Sequence, residues 1–270
     1  MASDQVRCAG KCAAAWIAAL ACLWLSAPHA VADEPAAQGR QIVEKWQDAV
    51  ITVRLVVKVT TSYGGAEANE REVKSDANGT VIAPNGLTVV SLTNMDPGEI
   101  FKRVRMPTIP GMPSFNVDTQ ITDVKLRLAD GTEVPAKVIL RDKDLDLAFV
   151  RPTEELPQPF AAVDLAQSAA PQLLDQVVTL NRLAGFGDWA IAPRVDRIQA
   201  IIPKPRTLYV PQGGDEVGTP AFSVDGRLIG ITLLRLPSSA EALSAAEDLG
   251  AFAVILPAAD VLEVAKQAQE

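Results

Sequence analysis

The chain has 270 residues, of which 48% are hydrophobic and 21% are charged, and its formal net charge is −8. This composition is typical of a globular protein rather than a disordered or collagen-like one. The excess of acidic residues argues against a nucleic-acid-binding protein, because such proteins need a basic surface for the phosphate backbone.

Histidine and cysteine occur only near the N-terminus. The sequence has one histidine, His29, and three cysteines, Cys8, Cys12 and Cys22. If the first 30 residues are removed, the remaining chain has neither an imidazole nor a thiol. It then lacks a cysteine nucleophile, a disulfide, a zinc site built from Cys and His, and a catalytic triad with a histidine base. We therefore predict no metal and no cofactor.

The N-terminal segment has the pattern of a signal peptide. An unbroken apolar run of 14 residues, 12–25, follows Arg7 and Lys11. That length suits the core of a signal peptide and is short for a transmembrane helix, which needs about 20 residues. No later segment is long and apolar enough to span a membrane.

The small residues Ala30 and Ala32 stand two apart, as a signal peptidase requires, so we predict cleavage near Ala32. Residues 1–32 would be the signal peptide, and the mature chain would be periplasmic or secreted. Two alternatives are an uncleaved N-terminal anchor and a lipoprotein that carries its lipid on Cys22.

After the leader, residues 33–49 are predicted to form a short helix, because apolar residues recur there at helical spacing. Short β-branched or alternating runs then follow, and three of the connections contain the hairpin dipeptides Asn85-Gly86, Asp130-Gly131 and Asp225-Gly226. A helix is predicted after Pro257. The predicted strands are 50–60, 79–84, 87–92, 124–128, 134–140, 145–150, 176–181, 195–202, 207–210, 220–224, 227–234 and 252–256.

Many short strands with tight turns and little helix indicate an all-β protein of the barrel or sandwich class. The strands fall into two groups, so we predict a first barrel over 50–150, a linker over 151–171, and a second barrel with its closing helix over 172–270. Residues 95–123 contain four prolines and show no strand pattern. We interpret them as a functional insert, because compact domains rarely carry loops of that length.

Four motifs in order resemble the trypsin-like serine proteases of the HtrA/Deg type. They are GTVIAPNG at 79–86, VKLRLADGTEVPAKV at 124–138, DLDLAFV at 144–150 and GTPAFSVDGRLIGI at 218–231. The resemblance covers most of residues 40–268 and implies a chymotrypsin/trypsin-like double β-barrel with a short C-terminal helix. Many members of that family carry a PDZ domain after the protease, and this sequence shows none after the closing helix.

The resemblance implies that the catalytic residues are missing. The family's histidine position falls on Thr93, its serine position falls on Val217, and of the triad only the aspartate, Asp146, is retained. A valine has no nucleophilic atom, and a threonine is not basic near neutral pH. Glu216 is expected beside the oxyanion hole, where its charge would repel a developing oxyanion. We interpret Asp146 as a structural residue that could hydrogen-bond Thr93.

These features favour a secreted or periplasmic pseudoprotease that binds a protein or peptide in a relic cleft. The residues predicted to contact the partner are Met106, Met112, Phe115, Glu216, Gly218 and Thr219. The insert could instead pack on its own barrel. One alternative function is a serine-type endopeptidase with unusual machinery, which would use Ser91 or Thr93 with Lys102. The other is a purely structural envelope protein. The oligomeric state is left open.

Overall fold

A computed structural model describes residues 34–64, 68–99, 115–214, 216–235 and 252–268. Helix α1 spans Glu34–Trp46 and is followed by a 3₁₀ turn at Gln47–Ala49. A four-residue helix, α2, spans Leu92–Met95, and the closing helix α3 spans Ala258–Gln267. Among the described residues, no helix has the length and hydrophobicity needed to cross a membrane.

Within the described ranges, the strands close two antiparallel barrels of six strands each, in the orders β1-β2-β3-β6-β5-β4 and β10-β11-β12-β9-β8-β7. The first barrel contains β1 (Val50–Tyr63), β2 (Asn69–Val81), β3 (Thr88–Ser91), β4 (Phe115–Arg127), β5 (Glu133–Asp142) and β6 (Leu147–Pro152). The second contains β7 (Gln176–Arg182), β8 (Ile191–Ile202), β9 (Leu208–Pro211), β10 (Pro220–Ser223), β11 (Leu228–Arg235) and β12 (Phe252–Pro257). This confirms the predicted double barrel with its C-terminal helix.

Three hydrophobic clusters account for the core. One combines residues of the first barrel, including Val53 and Leu126, with Leu92 and Met95 of α2, and a second combines residues of the second barrel, including Ile198 and Ile229, with Ala169. The third and largest joins residues of both barrels with apolar residues of α1 and α3. There the Trp46 ring stacks on Phe222 with 5.9 Å between centroids. The two barrels therefore share a common apolar interface, which fixes the loops that meet along it.

The three hairpin dipeptides do turn the chain, but not as two-residue hairpins. The amide of Gly131 donates to Leu128 O, and that of Gly226 donates to Ser223 O, one residue earlier than predicted. Gly86, Gly131 and Gly226 all have φ between 80° and 88°, while the preceding residues do not adopt positive φ. The two-residue type I′ hairpin that Asn-Gly and Asp-Gly favour needs positive φ at both central residues, so none of these turns is of that type.

The prediction that residues 95–123 form an insert without strand structure was wrong for residues 115–123, because strand β4 begins at Phe115. This strand pairs with β1 along its whole length, from Tyr63↔Phe115 to Thr52↔Arg127. The period-2 pattern of Val117, Thr119 and Ile121 was present in the sequence but was obscured by the upstream prolines and the intervening polar residues. Residues 100–114 lie outside the described part of the chain.

Candidate functional site

Asp146 occupies the last position of the turn between β5 and β6. The carboxylate of Asp142 caps this turn by accepting hydrogen bonds from the amides of Asp144 and Leu145, both at 3.0 Å. Asp146 has φ +60° and is 2% exposed. The predicted strand 145–150 therefore begins two residues too early, since Leu145 and Asp146 belong to the turn and the strand starts at Leu147. A left-handed aspartate ends the turn and aims its side chain into the protein.

Both oxygens of the Asp146 carboxylate accept hydrogen bonds from the chain itself. Oδ1 accepts from the amide of Thr93 at 2.8 Å and from its hydroxyl at 2.6 Å. Oδ2 accepts from the Ser91 hydroxyl at 2.6 Å and from the Leu234 amide at 3.2 Å. Because Leu234 belongs to the second barrel and the other three donors belong to the first, the carboxylate links the two barrels. We call these residues, Ser91, Thr93, Asp146 and Leu234, the Asp146 cluster.

Thr93 and Ser91 are held in place by the start of α2. Ser91 caps this short helix, accepting a hydrogen bond from the amide of Asn94 at 3.3 Å. The amide of Leu92 donates to the main-chain oxygen of Asp146 at 2.8 Å. Ser91 is fully buried and Thr93 is 4% exposed. Thr93, to which the resemblance assigns the family's histidine position, therefore contacts Asp146, as the sequence suggested, and its hydroxyl donates a hydrogen bond to the carboxylate.

The segment from Val217 to Thr219 lies where the second barrel meets β2 and β3. The amide of Gly218 donates to Thr232 O at 2.7 Å, and its carbonyl accepts from the Thr80 hydroxyl at 2.9 Å. The hydroxyl groups of Thr219 and Thr232 are 2.6 Å apart and form a hydrogen bond. Gly218 has φ +79°, and Val217 is 7% exposed. Val217, to which the sequence resemblance assigns the family's nucleophile, has a buried apolar side chain.

Glu216 forms an ion pair that the sequence did not predict. Its carboxylate lies 3.0 Å from Nη1 of Arg194, and Nε of Arg194 lies 2.7 Å from Asp196. Arg194 also lies against Gly214, where a Cβ would come within 1.6 Å of its Nη2. The charge of Glu216 is thus balanced locally. Arg194 and Asp196 are two residues apart on β8 and therefore share a face, but no local pattern in the sequence connects either of them to Glu216.

Loss of the Arg194 side chain is expected to loosen the loop at 213–216 without unfolding the protein. Arg194 and Glu216 are about one-third exposed, and ion pairs of that kind contribute about 0.2–1 kcal/mol. In Arg194→Met, amide hydrogen exchange of the loop should accelerate while the melting temperature changes little. In the matched variant Arg227→Met, which breaks a more exposed pair with Asp225, exchange at 213–216 should be unchanged. Equal exchange in all three proteins would contradict the assignment.

The first residues of the predicted insert pack on their own barrel. Asp96 and Glu99 are 2% and 3% exposed. Asp96 accepts a hydrogen bond from the Thr119 hydroxyl, and Glu99 lies 3.2 Å from Nζ of Lys143. This part of the segment therefore closes the space beside β4 and is not available to a partner.

The other predicted contact residues are placed as follows. Glu216, Gly218 and Thr219 fall in the segment that adjoins the Asp146 cluster. Phe115 is the first residue of β4, and nothing is described of its side chain. Met106, Met112 and Lys102 lie outside the described residues. In the described part of the chain, no group of three or more His, Cys, Asp and Glu side chains is arranged to hold a metal.

A model of the trypsin-like peptidase domain matches residues 23–231. The match covers well over half of the chain, and the chain belongs to this family. No match was found among curated proteins.

Proposed function

We propose that the chain is an exported, catalytically inactive HtrA-like member of the trypsin-like family, which binds an extended protein or peptide segment in the cleft its relatives use for substrate. The mature protein would be periplasmic or secreted after cleavage near Ala32. The single observation that carries the proposal is the state of Asp146. In an active triad this carboxylate orients a histidine and stabilises its cation. Here it is occupied by the hydroxyl and amide of Thr93, by Ser91 and by Leu234.

The remaining chemistry supports inactivity. Val217 offers no nucleophilic atom, and the one histidine of the sequence, His29, precedes the predicted cleavage site. Ser91 is fully buried and donates its proton to Asp146, so its oxygen is not presented to a substrate carbonyl. A peptidase that used Ser91 or Thr93 would need a nearby base to accept the hydroxyl proton. A carboxylate that already accepts four hydrogen bonds is poorly suited to that role.

The binding part of the proposal rests on how the cleft loops are kept in place. Gly218 and Thr219 are held by backbone and hydroxyl contacts to both barrels, and Arg194 holds Glu216. A cleft that is fixed in advance binds an extended segment at lower entropic cost than a mobile one. The apolar residues of 100–114 would supply additional contacts.

Unfolded casein provides a test of this function. We expect the purified protein to bind it saturably and to leave it uncleaved. Replacing Phe101, Met106, Ile109 and Met112 with Ser should weaken binding about tenfold, as loss of apolar anchors does at an interface, without lowering the melting temperature. The control Leu173→Ser/Phe186→Ser changes side chains that are 57% and 90% exposed elsewhere, and it should bind normally.

The outcomes separate the candidate functions. Normal binding of casein by the four-residue variant would mean that the insert does not contribute to binding and that the cleft binds casein by itself. If the unaltered protein does not bind casein at all, the binding function is contradicted and a structural role is favoured. Cleavage of casein would contradict inactivity.

A further inference from the structure

A second groove lies in the first barrel and shares no residue with the Asp146 cluster or with the segment 213–219. It has a volume of about 610 Å³. It is lined by Lys137 of β5, by Arg151 and Pro152 of β6, by Pro84 and Asn85, and by the linker residues 153–160. We call it the linker groove.

This part of the linker is fixed at both ends. At its start, the amide of Thr153 donates to Pro135 O at 2.9 Å, and its hydroxyl donates to the same oxygen at 3.2 Å. At its end, the amide of Phe160 donates to Pro84 O at 3.0 Å. A Cβ on Gly86 would come within 2.7 Å of Phe160, so this ring packs tightly on the turn. The groove therefore exists before any ligand arrives.

Between Thr153 and Phe160, the linker has main-chain amides that make no hydrogen bond within the described part of the chain. Pro157 and Pro159 have no amide hydrogen, and their fixed φ limits the conformations of the linker. In the described part of the chain, the amides of Glu154, Leu156 and Gln158 donate to no protein acceptor. These amides are available to the carbonyl oxygens of an extended peptide, the mode by which strand-like ligands bind.

Strands β5 and β6 carry two cations that repel one another. Lys137 and Arg151 are directly opposite across the β5–β6 pair, and like charges in that position are destabilising. Within the described residues, no carboxylate lies within ion-pair distance of either group, although both line the groove. Glu154 and Glu155 of the linker also line the groove, and neither of them pairs with the two cations. A carboxylate bound beside Lys137 and Arg151 would relieve the repulsion between the two cations.

We propose that the linker groove binds an extended acidic peptide segment of another protein. An Asp or Glu side chain of that segment lies between Lys137 and Arg151. A neighbouring apolar side chain packs on Leu156 and Phe160, and the peptide backbone accepts hydrogen bonds from the linker amides. Because the groove is separate from the relic cleft, this inference does not depend on the function proposed above.

The test is a nuclear magnetic resonance titration of the ¹⁵N-labelled protein with the octapeptide acetyl-Gly-Leu-Asp-Glu-Leu-Pro-Ser-Gly-amide. Its control peptide replaces Asp and Glu with Asn and Gln. We expect the acidic peptide to shift the amide resonances of Lys137, Arg151 and residues 153–160, with a dissociation constant about tenfold lower than that of the control peptide.

Two matched variants complete the test. Lys137→Gln/Arg151→Gln should raise the dissociation constant for the acidic peptide about tenfold. Arg40→Gln/Arg71→Gln removes two exposed cations elsewhere, with the same change in net charge, and should leave it unchanged. The proposal would be overturned if both peptides bound with the same dissociation constant. It would also be overturned if the amide resonances shifted only in residues 213–219, or if free acetate caused the same shifts as the acidic peptide.

Discussion

Asp146→Ala is expected to destabilise the protein by about 3–4 kcal/mol, because the substitution leaves several buried donors without an acceptor. The hydroxyl groups of Ser91 and Thr93 and two amides all bond to this carboxylate at 2.6–3.2 Å. Alanine also tolerates φ +60° less well than aspartate does. For a chain of this size, the loss corresponds to a fall in melting temperature of roughly 10 °C.

Two further variants make this prediction specific. Asp146→Asn keeps the shape of the side chain and one acceptor oxygen but turns an amide NH₂ toward two donors. Its loss of stability should therefore lie between zero and that of Asp146→Ala. Asp144→Ala removes a neighbouring carboxylate that is exposed, and the melting temperature should change by about 1 °C or less. Thermal unfolding followed by circular dichroism measures all three. If Asp146→Ala and Asp144→Ala melt at the same temperature, the carboxylate does not hold the barrels together.

Gly218→Ala is the second substitution for which we expect a large loss. A Cβ there would lie 2.3 Å from the backbone oxygen of Asn78, and the residue has φ +79°. The main chain of Asn78 cannot move aside as a flexible side chain can, so residues 217–219 would have to move away from β2. We expect a destabilisation of about 3 kcal/mol, of which the left-handed conformation accounts for roughly 1–2 kcal/mol.

Gly226→Ala separates the two causes of that loss. Gly226 has φ +80°, but the nearest atom to its added Cβ would be Ile42 Cγ1 at 3.9 Å. This variant should lose only the conformational part, about 1 kcal/mol. Urea unfolding of both variants gives the comparison. Equal losses would mean that the contact with Asn78 is not what requires glycine at position 218.

The fold could be predicted because its signals are local and repeated. Alternating β-branched runs, glycines at the turns and the closing helix each lie in short stretches of sequence. The start of β4 was missed, since Asn116, Asp118 and Gln120 face outward and the upstream prolines gave the impression of a loop. The ends of a strand depend on its neighbours in the sheet as well as on its own sequence.

Of the contacts in the candidate site, the sequence indicated one, the hydrogen bond between Thr93 and Asp146, and the structure contains it. Sequence could not reveal that Leu234 bonds the same carboxylate from a strand 88 residues away. Nor could it show that Arg194 balances Glu216, because both contacts depend on how the two barrels and the loop at 213–216 come together.

If the protein is catalytically inactive, as we propose, no serine or threonine hydroxyl is activated as a nucleophile. The intact mass of the purified protein after incubation with a fluorophosphonate tests this directly, because the reagent reacts covalently with activated serine and threonine hydroxyl groups. We expect a mass unchanged from that of the untreated protein, while an active trypsin-like protease treated in parallel gains one adduct. A stoichiometric adduct that is lost in Ser91→Ala or Thr93→Val would contradict the proposed inactivity.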